Sequence, residues 1–317
     1  MKLVMLDAHT LDPQGDLSWQ PLTDLPVELV RHDRTKPEDV LERVRDAELV
    51  LTNKVKVTGP MLSQMSALRY IGVMATGYDV VDAKAARAQG VSVTNVPGYG
   101  SASVAQHTFA LLLELTNHVH AHALSVARGD WARGSDWTYS LWPSVELAGK
   151  VMGVVGYGEI GRHVGRIASA YGMKLIYSTS RRQADPAWRT VPDLLRQSDV
   201  ISLHCPLTTE TRGMINAESL RLCKPSAYLL NTARGPLIVS EDLARALNEG
   251  HIAGAGLDVL PEEPPRSGNP LISAKNCLIT PHIAWAAQEA RQRLLCAIAQ
   301  NISAFLAGKS LNVVNPA

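Results

Sequence analysis

Three side chains capable of chemistry lie in the second half of the chain, each shortly after an apolar run. Arg234 follows the run that ends at Asn231, Glu263 lies in a proline-rich segment, and His282 follows the run that ends at Thr280. In open α/β sheets, ligands bind outside the carboxyl ends of the strands, so these side chains are expected to converge. A guanidinium that holds an anion, beside an imidazole and a carboxylate, would form an acid–base site. Taken singly, each residue has a plainer explanation, as a capping or salt-bridging arginine, a solvated loop acid and a turn histidine.

A glycine-rich turn lies upstream of these residues. It follows the apolar run 151–155, opens a predicted helix over 159–171, and consists of Gly156, Tyr157, Gly158, Glu159, Ile160 and Gly161. The glycines allow a tight turn, a close approach of the backbone to a pyrophosphate, and close contact between strand and helix. The helix N-terminus adds unpaired N–H groups and a partial positive charge. Because a strand precedes the motif and a helix follows it, we predict a dinucleotide site rather than a glycine-rich turn without a ligand.

The next apolar run indicates which dinucleotide binds. An NAD site carries an acidic residue at the end of this strand, about 20 residues after the motif, which binds the ribose 2′-hydroxyl. Here the run 174–178 continues into Thr179, Ser180, Arg181 and Arg182, with no carboxylate. Guanidinium groups bind phosphate oxygens in two-pronged fashion, so the segment favours the 2′-phosphate of NADP(H). NAD(H) stays open, because the arginines also fit a solvated basic turn.

Two series of alternating strands and helices surround these residues. Such alternation predicts parallel sheets that are covered on both faces. A long helix from about 103 to 127 and a Trp-rich irregular stretch at 129–143 separate the two series, and a last helix covers about 287–307. The predicted strands are 3–6, 27–30, 49–52, 70–73 and 91–94 in the first series, and 151–155, 174–178, 199–203, 227–231, 253–257 and 277–280 in the second.

This organisation predicts an α/β protein with two doubly wound parallel-sheet domains. A Rossmann dinucleotide-binding domain over 99–286 is inserted into a flavodoxin-like substrate domain, which consists of 1–98 and 287–317. The last helix is too long to remain unpacked at the end of the chain, so we assign it to the first domain.

Composition and charge argue against several classes of function. The 317 residues include 31 basic and 30 acidic side chains, which gives no broad electrostatic attraction to nucleic acid or anionic membranes. The apolar run at the N-terminus is too short for a signal peptide, and the run at 109–115 is too short to span a bilayer. Four cysteines without a C-x-x-C pair indicate reduced thiols in the cytoplasm rather than a zinc or redox site.

The dinucleotide motif and the three downstream residues together resemble the D-2-hydroxyacid dehydrogenase family, over nearly the whole chain. The resemblance includes 203–208 and the closing segment 312–316. Within that family the chain looks most similar to the glycerate dehydrogenase and hydroxypyruvate (glyoxylate) reductase branch, because of the segments 51–54, 75–79 and 104–106. The resemblance implies hydride transfer between a nicotinamide cofactor and a small 2-oxo or 2-hydroxy acid, with hydroxypyruvate/D-glycerate or glyoxylate/glycolate as the expected pairs.

The resemblance also gives roles to the matching residues. Arg234 would clamp the substrate carboxylate and carbonyl oxygen and stabilise the charge that develops during reduction. His282 would donate the proton to that oxygen, and take it back during oxidation. Glu263 would hydrogen-bond His282 and favour its protonated form. Asp258 would orient the nicotinamide or the catalytic groups.

The substrate carboxylate would be held by the backbone N–H groups of Thr76 and Gly77, and closure would shed water and align the hydride donor. Asn53, Lys54, Trp142 and Trp285 complete the predicted substrate-binding set. The predicted cofactor-binding set contains the glycine-rich turn and residues 179–182, together with Val104, His204, Cys205, Pro206, Thr211, Thr232, Ala233, Asp258 and Ala284.

The long helix carries both a candidate metal site and a candidate interface. Glu114, His118 and His122 are spaced four residues apart, on one face of a continuous helix, but no fourth ligand is near, so we expect no metal and a face buried against a partner. The resemblance implies a homodimer formed by this helix and the loop after it, at about 101–145. Trp142 would then either line the neighbour's substrate pocket or be an ordinary interface or core residue, together with Trp131 and Trp137.

These observations predict a cytoplasmic, dimeric enzyme that reduces hydroxypyruvate or glyoxylate reversibly with NADPH, without nucleic-acid or membrane partners. Two alternatives stay open. One is an NAD-dependent member of the family that acts on a bulkier 2-oxo acid. The other is a dinucleotide-sensing regulator on the same fold, because fold alone does not separate an enzyme from a regulator.

Overall fold

The computed structural model describes residues 1–316 and divides the chain into two compact units. The first unit contains Met1–Gly100 and returns from Trp285 onward, and the second unit is Ser101–Ala284. Each unit is built on one parallel sheet, as the β-α alternation predicts.

Over the described residues, the elements in chain order are as follows. The strands are β1 (Lys2–Met5), β2 (Glu28–Arg31), β3 (Leu49–Thr52), β4 (Tyr70–Val73), β5 (Ser92–Thr94), β6 (Val151–Val155), β7 (Lys174–Ser178), β8 (Val200–Leu203), β9 (Tyr228–Asn231), β10 (Gly254–Leu257) and β11 (Cys277–Ile279). The helices are α1 (Ala8–Leu11), α2 (Gln20–Thr23), α3 (Val40–Arg43), α4 (Gly59–Leu62), α5 (Ala83–Ala88), α6 (Ser101–Asn117), α7 (Val119–Ala127), α8 (Asp130–Arg133), α9 (Glu159–Ala170), α10 (Val191–Gln197), α11 (Ala217–Leu220), α12 (Ser240–Asn248) and α13 (Gln288–Leu306), with 3₁₀ turns at Pro37–Asp39, Gly235–Leu237 and Pro270–Ser273.

The sheet of the first unit has the strand order β2-β1-β3-β4-β5, and all four pairings are parallel. This is the order of flavodoxin-like doubly wound sheets. Every residue of the inner strands β3 and β4 is buried, because helices cover both faces and the runs are apolar apart from Thr52 at the end of β3. The last helix, α13, buries Leu294, Leu295 and Ile298 in one of the two cores of this unit.

The sheet of the second unit has the order β11-β10-β9-β8-β6-β7, again with parallel pairings only. Beyond β7, a single parallel bridge between Tyr177 and Trp188 lies where a classical Rossmann sheet has a further strand. The prediction of two doubly wound α/β domains with a Rossmann-type domain is confirmed.

Small residues bring two helices close to this second sheet. A Cβ on Gly256 of β10 would lie 2.9 Å from the side chain of Leu111, and one on Gly254 would lie 3.3 Å from that of Leu115. These glycines make room for α6, whose buried face includes Leu111, Leu112 and Leu115. On α9 the buried residues are Gly161, Val164, Gly165 and Ala168, which likewise permit a close approach.

The predicted continuous helix over 103–127 is wrong, because the chain breaks at His118. This residue has a left-handed backbone conformation, with φ 51°, and separates α6 from α7. Side chains at the break satisfy the helix ends: the Asn117 amide donates to the Leu113 carbonyl at 3.2 Å, and the Glu114 carboxylate accepts from the His120 N–H at 3.3 Å. Such local bonds compete with continued helix. Glu114, His118 and His122 therefore do not share one helix face.

No helix in residues 1–316 combines the length and apolar character that crossing a membrane would require.

Candidate active site

The glycine-rich turn lies at the carboxyl end of β6 and leads into α9. Gly156 has φ 92°, and a Cβ there would collide with the backbone of Cys205, at 2.5 Å from its nitrogen. A Cβ on Gly161 would collide with the carbonyl of Gly156 in the same way. These two glycines are therefore required by the packing of the turn itself.

Gly158 differs from them, because a Cβ at this position would meet nothing within 4 Å. Gly158 is the N-cap residue of α9, a helix of 12 residues, and no side chain makes a capping hydrogen bond at that end. The first-turn N–H groups and the helix dipole thus face a space that the absence of a side chain keeps open. This arrangement fits the pyrophosphate of a dinucleotide. Tyr157 stacks on Tyr177 at 4.2 Å and so fixes the start of the turn against β7.

The segment after β7 is a compact turn that Thr179 holds together. The Thr179 hydroxyl donates to the Arg181 carbonyl at 2.7 Å and accepts from the indole N–H of Trp188 at 3.2 Å. Ser180, Arg181 and Arg182 are exposed, and the Arg182 guanidinium lies 5.9 Å from the centre of the Trp188 ring. Residues 179–182 thus carry two cations and two hydroxyls, with no acid, directly after the strand that follows the glycine-rich turn.

The next strand end, after β8, carries His204, Cys205 and Pro206. Burial lowers the pKa of the His204 ring to about 3, so the ring is neutral, and its Nε2 is bonded to the Ser202 hydroxyl at 2.7 Å. Burial raises the pKa of the Cys205 thiol to about 11, so Cys205 supplies no thiolate at neutral pH. Thr211 donates to the Pro206 carbonyl at 2.8 Å, which closes the loop after β8.

Arg234 follows β9 and is held by its own loop. The Asn231 amide donates to the Arg234 carbonyl at 2.9 Å, and the Arg234 guanidinium donates to the Ala233 carbonyl at 2.8 Å. A Cβ on Gly235 would clash with the carbonyl of Leu260. This close contact brings the Arg234 loop against the segment that carries Glu263.

His282 and Glu263 form a direct pair. The His282 Nδ1 lies 2.5 Å from Glu263 Oε2, and Glu263 Oε1 accepts from the Leu260 N–H at 3.0 Å. Since the carboxylate only accepts, Nδ1 carries the proton of this bond. Both side chains are about one-third exposed, at 27% for His282 and 34% for Glu263. They are ordered by their partners and still reachable from solvent.

Asp258 holds the backbone that presents His282. Its side chain is 1% exposed and accepts from the Thr280 hydroxyl at 2.6 Å, the Ile283 N–H at 2.9 Å and the Ala284 N–H at 2.7 Å. His282 itself has φ 57°, a conformation that is uncommon for residues other than glycine. The Asp258 bonds span this strained turn on both sides, so Asp258 orients His282.

Helix α6 supports the same turn, through residues that the sequence analysis missed. The His107 Nε2 lies 2.9 Å from the Thr280 hydroxyl, which already donates to Asp258, so His107 is the donor. The Ser103 hydroxyl donates to the Ala284 carbonyl at 2.7 Å. The sequence did contain one indication of His107: it directly follows the segment 104–106, which carries part of the family resemblance.

Of the remaining predicted cofactor residues, Val104 and Thr232 are linked through Thr108. The Thr108 hydroxyl donates to the Val104 carbonyl at 2.8 Å and lies 3.1 Å from the Thr232 hydroxyl. The Ala233 N–H donates to the Asn231 side chain at 3.0 Å. Val104, Thr232 and Ala233 thus lie near the end of β9, whereas both backbone groups of Ala284 are used within the fold.

In the first unit, the predicted substrate-binding residues lie at the carboxyl edge of its sheet. Asn53 is buried, and its amide donates to the Met74 carbonyl at 3.0 Å. The Thr76 hydroxyl donates to the Val96 carbonyl at 2.9 Å, which ties the turn with Gly77 to the end of β5. Lys54 follows Asn53 directly, and Trp285 packs edge-on against Tyr99, with ring centres 6.5 Å apart.

Trp142 lies at the end of the irregular stretch and contacts α7. Its ring centre is 5.3 Å from that of His118 and 6.1 Å from that of His122. His122 Nδ1 lies 2.8 Å from the His118 carbonyl, and its Nε2 accepts from the Leu141 N–H at 3.1 Å. The histidines therefore fix this stretch, and within the described residues no cluster of three metal-ligating side chains occurs.

Comparison with known proteins shows which family this chain is similar to. The protein-family model described as "D-isomer specific 2-hydroxyacid dehydrogenase, NAD binding domain" matches residues 109–284. The chain is 46% identical to a hydroxypyruvate reductase of Blautia hydrogenotrophica, over 99% of this chain and 100% of that protein. It is 40% identical to a glycerate dehydrogenase of Methylorubrum extorquens, over 99% of this chain and 98% of that protein.

A similar solved structure is the NADPH-dependent glyoxylate/hydroxypyruvate reductase of Sinorhizobium meliloti in complex with NADP and malonate. It is 27% identical to this chain, with a TM-score of 0.84, over 99% of this chain and 96% of that one.

Proposed function

The chain belongs to the D-isomer specific 2-hydroxyacid dehydrogenase family, and we propose that it reduces hydroxypyruvate or glyoxylate with NADPH, reversibly. Family membership, which confirms the expectation from the sequence, makes it an oxidoreductase that transfers a hydride between a nicotinamide cofactor and a small 2-oxo or 2-hydroxy acid. The observation that carries the proposal is the His282–Glu263 pair, held beside the Arg234 loop in the unit that carries the dinucleotide turn.

The proton-transfer step follows from the His282 ring. With Nδ1 committed to Glu263, Nε2 is the atom that donates a proton to the carbonyl oxygen of the substrate and recovers it during oxidation. Asp258 fixes the turn that carries the ring, so the donor does not have to be reoriented for each turnover. The bound cofactor supplies or accepts the hydride.

Arg234 is the proposed clamp for the substrate. A guanidinium binds a carboxylate through two parallel N–H bonds and also stabilises negative charge on the carbonyl oxygen as the hydride arrives. Asn53, Lys54 and the N–H groups of Thr76 and Gly77 bind the substrate carboxylate in this proposal, so residues 1–100 and those from 285 onward form the substrate domain. Trp285 completes the set. A carboxylate is common to hydroxypyruvate and glyoxylate, and both substrates are small.

The proposed preference for NADPH rests on the turn after β7. Thr179 stands where an NAD site has an acid, and its hydroxyl fixes the carbonyl of Arg181, so the turn that carries both arginines has a defined shape. Arginines on an ordered turn offer charged hydrogen bonds to a 2′-phosphate.

The proposed assembly is a homodimer. Large apolar side chains are exposed throughout α7 and the stretch after it, namely Val119, Leu124, Val126, Trp131, Trp137, Tyr139, Leu141 and Trp142. A patch of this kind is typical of an interface, and Trp is enriched where proteins associate. We propose that a second copy covers this surface and that Trp142 lines that copy's substrate pocket. The cytoplasmic location stays a prediction.

The experiment that tests the proposal is a set of initial-rate measurements with two cofactors. Hydroxypyruvate, glyoxylate, pyruvate and a branched 2-oxo acid are each offered with NADPH and with NADH. We expect the highest kcat/KM for hydroxypyruvate or glyoxylate with NADPH. A preference for the branched acid with NADH would support the NAD-dependent alternative, and binding of NADPH without turnover of any acid would support the regulator.

A further inference from the structure

A buried acid at the carboxyl end of β1 has no role in the function described so far. Asp7 is 3% exposed. Its carboxylate accepts the backbone N–H groups of Asn53 at 2.9 Å, Lys54 at 2.6 Å and Val55 at 3.3 Å. Three successive amides thus converge on one side chain that lies 46 to 48 positions away in the sequence.

These amides belong to the turn that follows β3. The same turn is held by the Thr52 hydroxyl, which donates to the Val55 carbonyl at 2.7 Å, and by the Asn53 amide, which donates to the Met74 carbonyl at 3.0 Å. Asp7 is therefore one of three side-chain anchors on residues 52–55, and it is the charged one.

Capping of the neighbouring helix does not explain Asp7. The residue precedes α1, but its side chain makes no cap hydrogen bond there, and the first amide of α1 donates to the His32 carbonyl at 2.9 Å. All the backbone partners of the carboxylate lie in the turn after β3. Its structural effect is thus confined to the loop that holds Asn53 and Lys54.

Keeping an ionised carboxylate at this position is costly for the fold. Burial raises the pKa of Asp7 above its usual value even though three backbone N–H groups act in the opposite direction. Loss of water thus outweighs the hydrogen bonds that the carboxylate gains. Ionisable groups whose pKa is perturbed cluster at functional sites.

We propose that Asp7 is a positioning residue for the substrate: by gathering three consecutive N–H groups, it sets the backbone shape in which Asn53 and Lys54 bind the carboxylate of the 2-oxo acid. This inference rests on the proposed substrate-binding role of Asn53 and Lys54. Asp7 acts through the loop and does not touch the substrate. Loss of Asp7 should therefore weaken substrate binding more than it slows the chemical step.

The test compares Asp7→Asn with wild type. The substitution keeps the size of the side chain, but it removes the charge and turns an NH₂ group toward backbone N–H donors. We expect KM for hydroxypyruvate to rise about tenfold, as loss of charged hydrogen bonds predicts, with kcat and the Kd for NADPH changed by less than about threefold. Amide hydrogen exchange in the segment 53–55 should become faster in the variant.

The matched control is Asp199→Asn in the other unit. The Asp199 carboxylate also accepts a backbone N–H, from Val151 at 2.8 Å, and pairs with the Lys224 ammonium at 2.8 Å. Its removal should lower Tm without raising KM. A KM for Asp7→Asn as close to wild type as that of the control would overturn the proposal.

Two further variants keep the proposal testable if Asp7→Asn fails to fold. Thr52→Val removes the second anchor of the turn, at nearly constant volume, and should also raise KM; an unchanged KM would then overturn the proposal. Lys54→Met tests the proposed function itself, because the Lys54 side chain is not one of the three anchors. If Lys54→Met leaves KM unchanged, the loop is not a substrate site. If it raises KM while neither anchor variant does, only the role of Asp7 fails.

Discussion

Two acids serve His282, and they act on different parts of it. Glu263 bonds the ring, through Nδ1, whereas Asp258 bonds the backbone on either side of the residue. Glu263 determines that the ring nitrogen Nδ1 carries a proton, and Asp258 fixes the position of the residue. This division explains why Asp258 is almost completely buried, while Glu263 and His282 keep about a third of their surface exposed.

The first prediction concerns the pH dependence of both directions of the reaction. Reduction requires a protonated His282 and oxidation requires a neutral one, so reduction falls as pH rises and oxidation gains. The Glu263 carboxylate accepts the Nδ1–H of His282 and so holds the ring in one orientation. Glu263→Gln can turn an NH₂ group toward Nδ1, and it should therefore lower kcat/KM in both directions by about tenfold.

The control for this prediction is Glu249→Gln, because Glu249 lies 3.6 Å from His251 in an exposed pair elsewhere in the same unit. Profiles of kcat/KM against pH for hydroxypyruvate and D-glycerate provide the measurement. Values of kcat/KM that coincide for wild type, Glu263→Gln and the control, in both directions of the reaction, would contradict the proposed pairing.

At the scale of the elements, strand ends supply most of the candidate site and one helix supports it. The ends of β6 to β10 and the segment after β11 carry most of the residues that the sequence singled out in the second unit. Helix α6 supports the segment after β11 at two points, through Ser103 on Ala284 and His107 on Thr280. Gly254 and Gly256 give α6 the room to approach, so two residues without side chains help to place the turn that carries His282.

The second prediction belongs to the turn after β7. A charged hydrogen bond contributes about 1.5–3 kcal/mol, so one arginine contact with a 2′-phosphate gives at least about a tenfold preference for NADPH. Arg181→Ala should remove most of that preference, and Thr179→Asp should reverse it. The measurement is kcat/KM for each cofactor at saturating hydroxypyruvate.

Arg196→Ala is the control for charge alone, since Arg196 pairs with Asp193 on an exposed helix surface of the same unit. A wild type that prefers NADH would refute the argument from the missing acid. Equal use of both cofactors would mean that the arginines do not contact the phosphate.

The sequence predicted those helices, strands and turns whose pattern lies within a short stretch of neighbouring residues. Wholly apolar runs such as Tyr70–Val73 became inner strands, and the glycine-rich turn was recognised because strand and helix flank it. The break at His118 was missed, because it depends on a carboxylate six residues away from the amide it caps. Asp7 was missed for a similar reason, since its partners lie 46 or more positions along the chain and only folding brings them together.

At the scale of the whole molecule, α7 and the irregular stretch after it expose an apolar surface. Trp137 is 93% exposed and Trp142 is 48% exposed, in a stretch that side chains fix firmly to α7. The Tyr139 hydroxyl donates to Ser125 at 3.0 Å, and the Leu141 N–H donates to His122 at 3.1 Å. An ordered apolar surface is well suited to bind a second copy, since little entropy is lost on association.

The third prediction separates two roles of Trp142. If this residue lines the substrate pocket of the second copy, Trp142→Ala should raise KM for hydroxypyruvate about tenfold and admit larger 2-oxo acids, while the dimer persists. Trp137→Ala is the control for loss of an exposed indole. Sedimentation analysis beside the kinetics distinguishes the roles: a monomeric Trp142→Ala with unaltered substrate preference would leave Trp142 an interface residue only.

The most direct test of the account is the rate of hydroxypyruvate reduction by His282→Asn under saturating NADPH. General acid catalysis contributes on the order of 10²–10⁴-fold, so kcat should fall by that factor. His251→Asn is the matched control, because His251 also lies next to a glutamate, and it should keep wild-type turnover within about twofold. If His282→Asn reduces hydroxypyruvate as fast as His251→Asn does, His282 is not the proton donor and the proposed active site is wrong.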